Sequence, residues 1–464
     1  MKRRNKNLTE GNIKKQLFSL VWPMLFGMIG MVIFNLADTY FLGRLGVKEL
    51  AAISFTFPVV MFINSLSQGI GVGTSSLISR NIIVTDRKTV KMMASRALFL
   101  GLLVVVIFVI IGQFTIRPLF TALGASGKTL DDVVSYMRIW YFGVPFVVFP
   151  MIGNHIVRAT GDTFMPGMLM LTSSVVNIIL DPLMIFGIGF FPKMGIQGAA
   201  LATVIGRSVS FVFILIILIK REKLLTVYLG RVKDVLKTWR QVIYVAGPAA
   251  LAMLIAPLSI GFITRLLSGY GKEAVAAFGV ASRVEMFALM VITSLGSVLI
   301  IFIGQNFSKQ KFDRIFLALK IAFIFSIVWG FVIFAILLFL RKPIVSVFTN
   351  DMNVISIAAS YFLIVGSSYG FQGLVMLSTA SFNGLNKPYP SAAFSIIRMM
   401  VLYVPLAWIG SKFFELKGIF WAGFTANIIT GILASVFLYK TICKLERTCR
   451  KPRNKRQEPV SSKQ

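Results

Sequence analysis

Hydrophobic positions along this chain gather into long runs separated by short basic loops. Met92–Ile116 and Ile315–Leu340 each exceed the ~20 residues that carry a helix across a bilayer. Runs of this kind predict helices over 16–42, 50–79, 92–116 and 133–157, and a pair within 165–207. A basic stretch over 220–240 follows, and then a further set of apolar runs. The polar positions inside the runs are few, and most stand at helical-neighbour spacing. Asn35 and Asp38 are three apart, and Asn64 and Gln68 four apart, as are Asn177 and Asp181. Pro182 follows Asp181 directly, so the Ile178 carbonyl loses its helical donor. An amide, a carboxylate and a freed carbonyl within one turn form a ligand set for a proton or a hard cation. Ala199 and Thr203 repeat the four-residue spacing on the next helix and are small enough to admit a close neighbour. A mid-membrane carboxylate costs roughly 2.5–3.5 kcal/mol on insertion scales, which makes Asp38 and Asp181 functional candidates. The competing reading is a structural polar contact between helices.

The second half of the chain repeats the first. At an offset of 225 residues Pro23 meets Pro248, Gly71 meets Gly296, Asn81 meets Asn306, Pro118 meets Pro343 and Tyr136 meets Tyr361. Packing and kink positions dominate these matches. The predicted fold class is therefore an all-α integral membrane protein. It has twelve transmembrane helices in two six-helix bundles, related by a pseudo-two-fold axis normal to the membrane. Its expected parts are an N-tail over 1–15, an N-lobe over 16–219, a linker over 220–240 lying along the membrane surface, a C-lobe over 241–440 and a basic, polar C-tail over 441–464.

Composition sharpens this picture. Hydrophobic residues make up 56% of the chain, the mean hydropathy is +0.82 and the formal charge is +31. The Lys and Arg residues sit in short loops and tails. The loops read as cytoplasmic carry about three times as many as the others, so the charge reports topology and not nucleic-acid binding. Both termini are expected in the cytoplasm of a multi-pass protein of the plasma (inner) membrane. The first apolar run is of spanning length and lacks a small-residue cleavage site, so it is read as a retained helix. Cys443 and Cys449 lie in the basic C-terminal region, where a disulfide is not expected. With one histidine, and no HExxH or GxxxxGK[ST] sequence, an enzyme and an ATP-driven pump both lack visible apparatus; the GxSxG string at 366–370 (GSSYG) lies inside an apolar run. No cofactor is expected beyond a coupling ion, H+ or Na+.

The halves differ at their acids. By the repeat Asp38 faces Ile263, and with a two-residue slip Asp181 faces Val404. A purely structural need would apply to both halves, so the asymmetry favours chemistry. If helices 1 and 5 pack together, the two carboxylates share a desolvated site and titrate as a unit. The second half has Glu285, two residues from Arg283 and so not on one helix face with it, and Arg398. These three are candidates for a C-lobe cavity, with a structural role equally open. Arg138, Arg207 and Lys320 are read as lying near helix ends and snorkelling. The abundant Met and Phe residues serve either as a flexible cavity lining or as lipid-facing and core positions.

The runs GDTFMPGMLMLTSSVVNIILDPLMIF and GIQGAALATVIGR resemble the helix 5–6 signature of multidrug and toxic compound extrusion (MATE) transporters. NLADTYFLGRLG of helix 1 and ASRVEMFALMVITSLGSVLIIFIGQN of the second half fit the same family, over essentially the whole chain. The resemblance is to the bacterial and archaeal branch with its cation site in the N-lobe. It implies two lobes around a central cavity, alternating access, and secondary active export of amphipathic, often cationic compounds in exchange for H+ or Na+. It places the coupling site on Asp38, Asn177, Asp181 and Thr203, with Ala199 lending a carbonyl. Asn154 falls at a polar position lining that lobe, where Asn35, Asn64 and Gln68 are further candidates. Some relatives carry Tyr four residues before the helix 1 Asp, where this chain has Phe34. A lipid-precursor flippase of the same superfamily is the alternative, although its cavity calls for several basic residues. The expected partners are small amphipathic molecules and the lipid bilayer, with a functional monomer.

Overall fold

The computed structural model describes residues 7–45, 47–189 and 191–450. The first six residues of the expected N-tail, the last fourteen of the C-tail, and Gly46, which meets Gly271 at the repeat offset, lie outside them. Eleven helical stretches of membrane length run through the described residues, the last long enough for two crossings, because apolar runs of this length satisfy their backbone groups only as helices. In chain order they begin with α1 (Ile13–Leu45), α2 (Val47–Asn81), α3 (Arg87–Ala122), α4 (Gly127–Ala159), α5 (Phe164–Phe186) and α6 (Gly195–Ile216). They continue with α7 (Val232–Ser268), α8 (Lys272–Ser308), α9 (Phe312–Ser346) and α10 (Met352–Gly384), the last broken by a short 3-10 turn at Gly366–Ser368. The final helical stretch, Pro388–Cys449, is 62 residues long, far more than one crossing needs. Phe414 and Glu415 leave helical geometry, Glu415 with φ 51°, and divide it into α11 (388–413) and α12 (416–450).

α1 through α6 form one lobe and α7 through α12 the other, joined mainly along α2 against α7 and α8, and α1 against α8. The first half of α1 belongs to the second lobe's core. Leu8, Leu17, Leu20 and Met24 are buried among Leu295, Phe302 and Ile315. The end of the molecule holding this N-terminal segment is its base, and the opposite end its mouth. Hydrogen bonds that join the lobes gather near the base. Ser76 Oγ donates to the Asn383 carbonyl (2.6 Å), Arg80 to Asn386 Oδ1 (3.0 Å), Ser308 Oγ to the Arg80 carbonyl (2.5 Å) and Gln305 Nε2 to the Ala159 carbonyl (3.3 Å). A Cβ at Gly69 would stand 2.7 Å from the Ala246 carbonyl oxygen of α7, so α2 and α7 meet backbone to backbone there. Towards the mouth, Phe57 of α2 and Leu258 of α7 stay exposed.

Three stretches differ from the sequence reading. α6 continues through a π turn to Arg221 and α7 already starts at Val232, so only 222–231 is non-helical in the expected linker over 220–240. The polar, charged composition of 232–240 hid that helical turn. The connection is fastened to α3 at the base: Thr226 N donates to Ser95 Oγ (2.8 Å), Arg96 Nε to the Leu229 carbonyl (2.8 Å) and Trp239 Nε1 to the Arg96 carbonyl (2.9 Å). The C-tail expected from 441 is helical as far as Arg450, continuing α12. Before α1, residues 8–11 are bound to the second lobe. Leu8 N donates to Gln305 Oε1 (3.1 Å), and Arg314 donates to the Leu8 and Gly11 carbonyls.

Candidate functional site

The N-lobe site is built where α1, α5 and α6 converge. Glycines set the approach: a Cβ at Gly27 would lie 2.8 Å from the Gly167 carbonyl oxygen, leaving no room for a methyl group between α1 and α5. Each helix then presents rungs one turn apart: Phe34 and Asp38 on α1, Asn177 and Asp181 on α5, Ala199, Thr203 and Arg207 on α6. α5 ends at Gly187, whose φ of 73° is the left-handed cap that glycine adopts without strain.

At the deeper rung Phe34, Ser173, Ser174, Asn177, Thr203 and Arg207 enclose a small pocket. Asn177 Nδ2 donates to Thr203 Oγ1 at 3.4 Å, while Asn177 Oδ1 is buried without a hydrogen-bond partner. At the rung nearer the mouth Asp181 is fully buried, and neither carboxylate oxygen has a donor. Asp38 is close enough to Asp181 to repel it electrostatically, and Tyr136 of α4 stands within electrostatic reach of both. Ala199, also buried, packs with Leu42 and Ile185 just beyond. Buried polar atoms without partners are rare and costly. Here three oxygens of that kind lie one turn apart on α5, on Asp181 and Asn177, with the Asp38 carboxylate within electrostatic reach of Asp181. That donor set suits a proton or a small hard cation. Among the described residues no cluster of three or more His, Cys, Asp or Glu side chains suits a metal of higher coordination.

The remaining N-lobe candidates divide. Asn154 is buried with Oδ1 unpartnered. Gln68 Oε1 is engaged with His155 Nε2 at 3.0 Å, Asn64 is half-buried, and Asn35 is exposed. Arg207 does not snorkel. α6 runs on to Arg221, which places Arg207 mid-helix with its guanidinium 5.7 Å from the Phe34 ring centroid. The ring that lacks a tyrosine hydroxyl towards Asp38 thus carries a cation on its face. Tyr136 and Arg207 are the site neighbours that sequence reasoning missed, although the repeat match of Tyr136 with Tyr361 was a signal.

The C-lobe holds a cavity of about 340 Å³ that brings Glu285 and Arg398 together. Glu285 accepts from the Tyr361 hydroxyl (2.6 Å) and from Gln372 Nε2 (2.8 Å), and Arg398 donates to Asn427 Oδ1 (3.1 Å). Asn427 Nδ2 in turn donates to Ser368 Oγ (2.9 Å) and Gln372 Oε1 (3.3 Å), which closes the network. Arg283 is not part of it. Two residues from Glu285 on α8, it points away and is exposed.

Comparison with known proteins agrees with the repeat. The MatE family model matches twice, over residues 23–183 and 248–409, starting at the paired prolines. The chain is 35% identical over 437 residues to a protein of Shewanella oneidensis described as a FAD transporter, covering 94% of this chain and 96% of that one. It is 26% identical to the multidrug export protein MepA of Staphylococcus saprophyticus, over 93% and 94% of the two chains. The Vibrio cholerae MATE transporter VcmN in its bent form superimposes with a TM-score of 0.88 at 30% identity, covering 94% of this chain and 98% of that one. An outward-facing multidrug resistance MATE transporter of the MOP superfamily gives 0.89 at 26% identity, over 96% and 100%. On this shared double repeat, architecture and full-length similarity, the chain belongs to the MATE family of membrane transporters.

Proposed function

We propose that this protein is a secondary antiporter that exports amphipathic small molecules, often cationic, in exchange for H+ or Na+. In this reading Asp38, Asn177, Asp181 and Thr203 hold the coupling ion, and the space between the lobes, with the C-lobe cavity, carries the cargo. The observation that supports it most is the pair of Asp181 oxygens, fully buried beside a second carboxylate and lacking any protein donor. A proton or Na+ satisfies them, and its release makes them costly again. That difference couples ion occupancy to conformation. The base faces the cytoplasm of a bacterial plasma membrane, as the loop charges favour. With the base sealed by the α2–α7 contact, the conformer is the one open to the outside.

The test is purified protein in liposomes. Gradient-driven uptake of ethidium and cargo-induced ion release are expected for the wild type and not for Asp38→Asn or Asp181→Asn, with all three folded. Transport by both variants at the wild-type rate, with unchanged pH and Na+ dependence, overturns the assignment. The flippase alternative is weakened by the position of Arg283, which leaves Arg398 as the basic side chain lining the C-lobe cavity.

A further inference from the structure

The C-lobe cavity differs in chemistry from the N-lobe site. Both oxygens of Glu285 already accept hydrogen bonds from the wall, so this carboxylate is satisfied where that of Asp181 is not. Arg398 is in the opposite condition. A guanidinium carries five N–H donors. Among the described residues the Arg398 side chain makes one hydrogen bond, to Asn427, which is itself fixed by Ser368 and Gln372. The guanidinium lines the cavity with most of its hydrogen-bond donors unspent, within electrostatic reach of the Glu285 carboxylate, so an anion bound there lies on the side of Arg398 away from Glu285.

Apart from Ser282, Thr293 and the amides, the rest of the lining is mostly apolar and aromatic. Phe278, Tyr361 and Tyr403 stand with Met286, Met376 and Met399. Such a surface takes a flat ring, and thioethers adapt to its edge. Gln372 and Asn427 are engaged with Glu285, Ser368, Arg398 and each other, so they hold the wall in place. The volume lies at the small end of ligand sites, roughly 300–1,000 Å³.

We infer that this cavity binds a heteroaromatic phosphate ester of the flavin nucleotide class, its ring among the aromatic and Met side chains and its phosphate on Arg398. A planar guanidinium pairs with phosphate through two parallel N–H bonds, which fixes orientation as well as charge. The Shewanella oneidensis relative described as a FAD transporter makes a flavin the apt ring to commit to. The inference rests on the exporter reading and names a cargo class for it, one in which the anionic group is recognised and not merely tolerated.

Equilibrium binding to the full-length protein in detergent tests it, with riboflavin, FMN, AMP, inorganic phosphate and ethidium as probes. FMN is expected to bind about tenfold or more tighter than riboflavin, the gain a charge-assisted contact supplies. Inorganic phosphate alone competes weakly. Arg398→Gln removes the difference between FMN and riboflavin while riboflavin affinity shifts less than about threefold, which also shows that the variant is folded. Arg398→Lys, keeping the charge without the fork, recovers part of the difference. Equal affinity of FMN and riboflavin for the wild type, an equal loss of both in Arg398→Gln, or phosphate competing as well as FMN overturns the inference. Ethidium efflux in liposomes separates the two levels. If it persists while FMN fails to bind preferentially, only this cargo assignment falls, and if it is absent the exporter reading falls first.

Discussion

Asp38 and Asp181 were legible in the sequence because a carboxylate in an apolar run is expensive and so stands out. Their meeting was implied by the family resemblance and not by the residue pattern itself. It depends on Gly27 and Gly167, which carry no chemistry of their own and signal only through the backbone contact they allow. Arg207 was misplaced because hydropathy ends a helix where charge begins, whereas α6 carries its arginine mid-span on the face of Phe34. At this scale the site's cost is itself testable. Asp181 holds two unpartnered buried oxygens, so an apolar side chain of similar size should fit the ion-free protein better. Asp181→Leu is expected to stabilise the protein by about 1–3 kcal/mol in Na+-free buffer, and to abolish any stabilisation by added Na+. Thermal unfolding in detergent, with and without Na+, measures both. Destabilisation by a similar amount would mean that Asp181 serves the packing.

At the scale of elements, the lengths and order of the helices followed from hydropathy, and the errors fell where polar sequence is nonetheless helical, at 232–240 and 441–450. On the proposed function, the α1–α5 contact is where local sequence bears on the ion site. Gly27→Ala puts a methyl group 2.8 Å from the Gly167 carbonyl oxygen, so the two helices must separate. The expected result is a loss of coupled transport larger than the loss of stability, because the second half of α1 carries Asp38. Transport assays beside thermal scans decide it, and an unaltered transport rate shows that the close approach is dispensable.

The join between α6 and the connection to α7 holds another buried group. Asp162 caps α5 through the Phe164 N–H (2.9 Å) and pairs with Arg221 at 2.6 Å, and Arg87 donates to the Glu222 carbonyl. Burial pushes the Glu222 carboxyl above its usual value, against the opposing pull of Arg221. A raised carboxylate means that the folded state holds the proton more tightly than the unfolded one. Stability from this group is then present at low pH and declines as pH rises from 4.5 through the folded value. Wild type is expected to lose stability relative to Glu222→Gln over that window and to run parallel to it above. A constant difference across the whole range would show that Glu222 keeps its proton affinity on unfolding.

For the whole molecule, the two-lobe architecture was readable because the chain states it twice, at Pro23 and again at Pro248. Which end is sealed was not readable, since the same helices serve every conformer and only lobe-to-lobe contacts distinguish them. Those contacts gather at the base, where α2 meets α8 around Ser79 and Gly304. A Cβ at Gly304 would stand 3.0 Å from Ser79 Cβ. A disulfide needs about 3.5–4.5 Å between these atoms, so a small parting of the helices accommodates one. Ser79→Cys with Gly304→Cys, in a background with Cys443→Ser and Cys449→Ser, is therefore expected to cross-link under mild oxidation and to hold the base shut. Alternating access requires the base to open once per cycle. Oxidised protein in liposomes should stop transporting, and reduction should restore the rate. The ion binding proposed at Asp38 and Asp181, within the N-lobe, should survive the cross-link, because those residues do not span the interface. Transport that continues at the unlinked rate with the disulfide fully formed would mean that the lobes never part at the base.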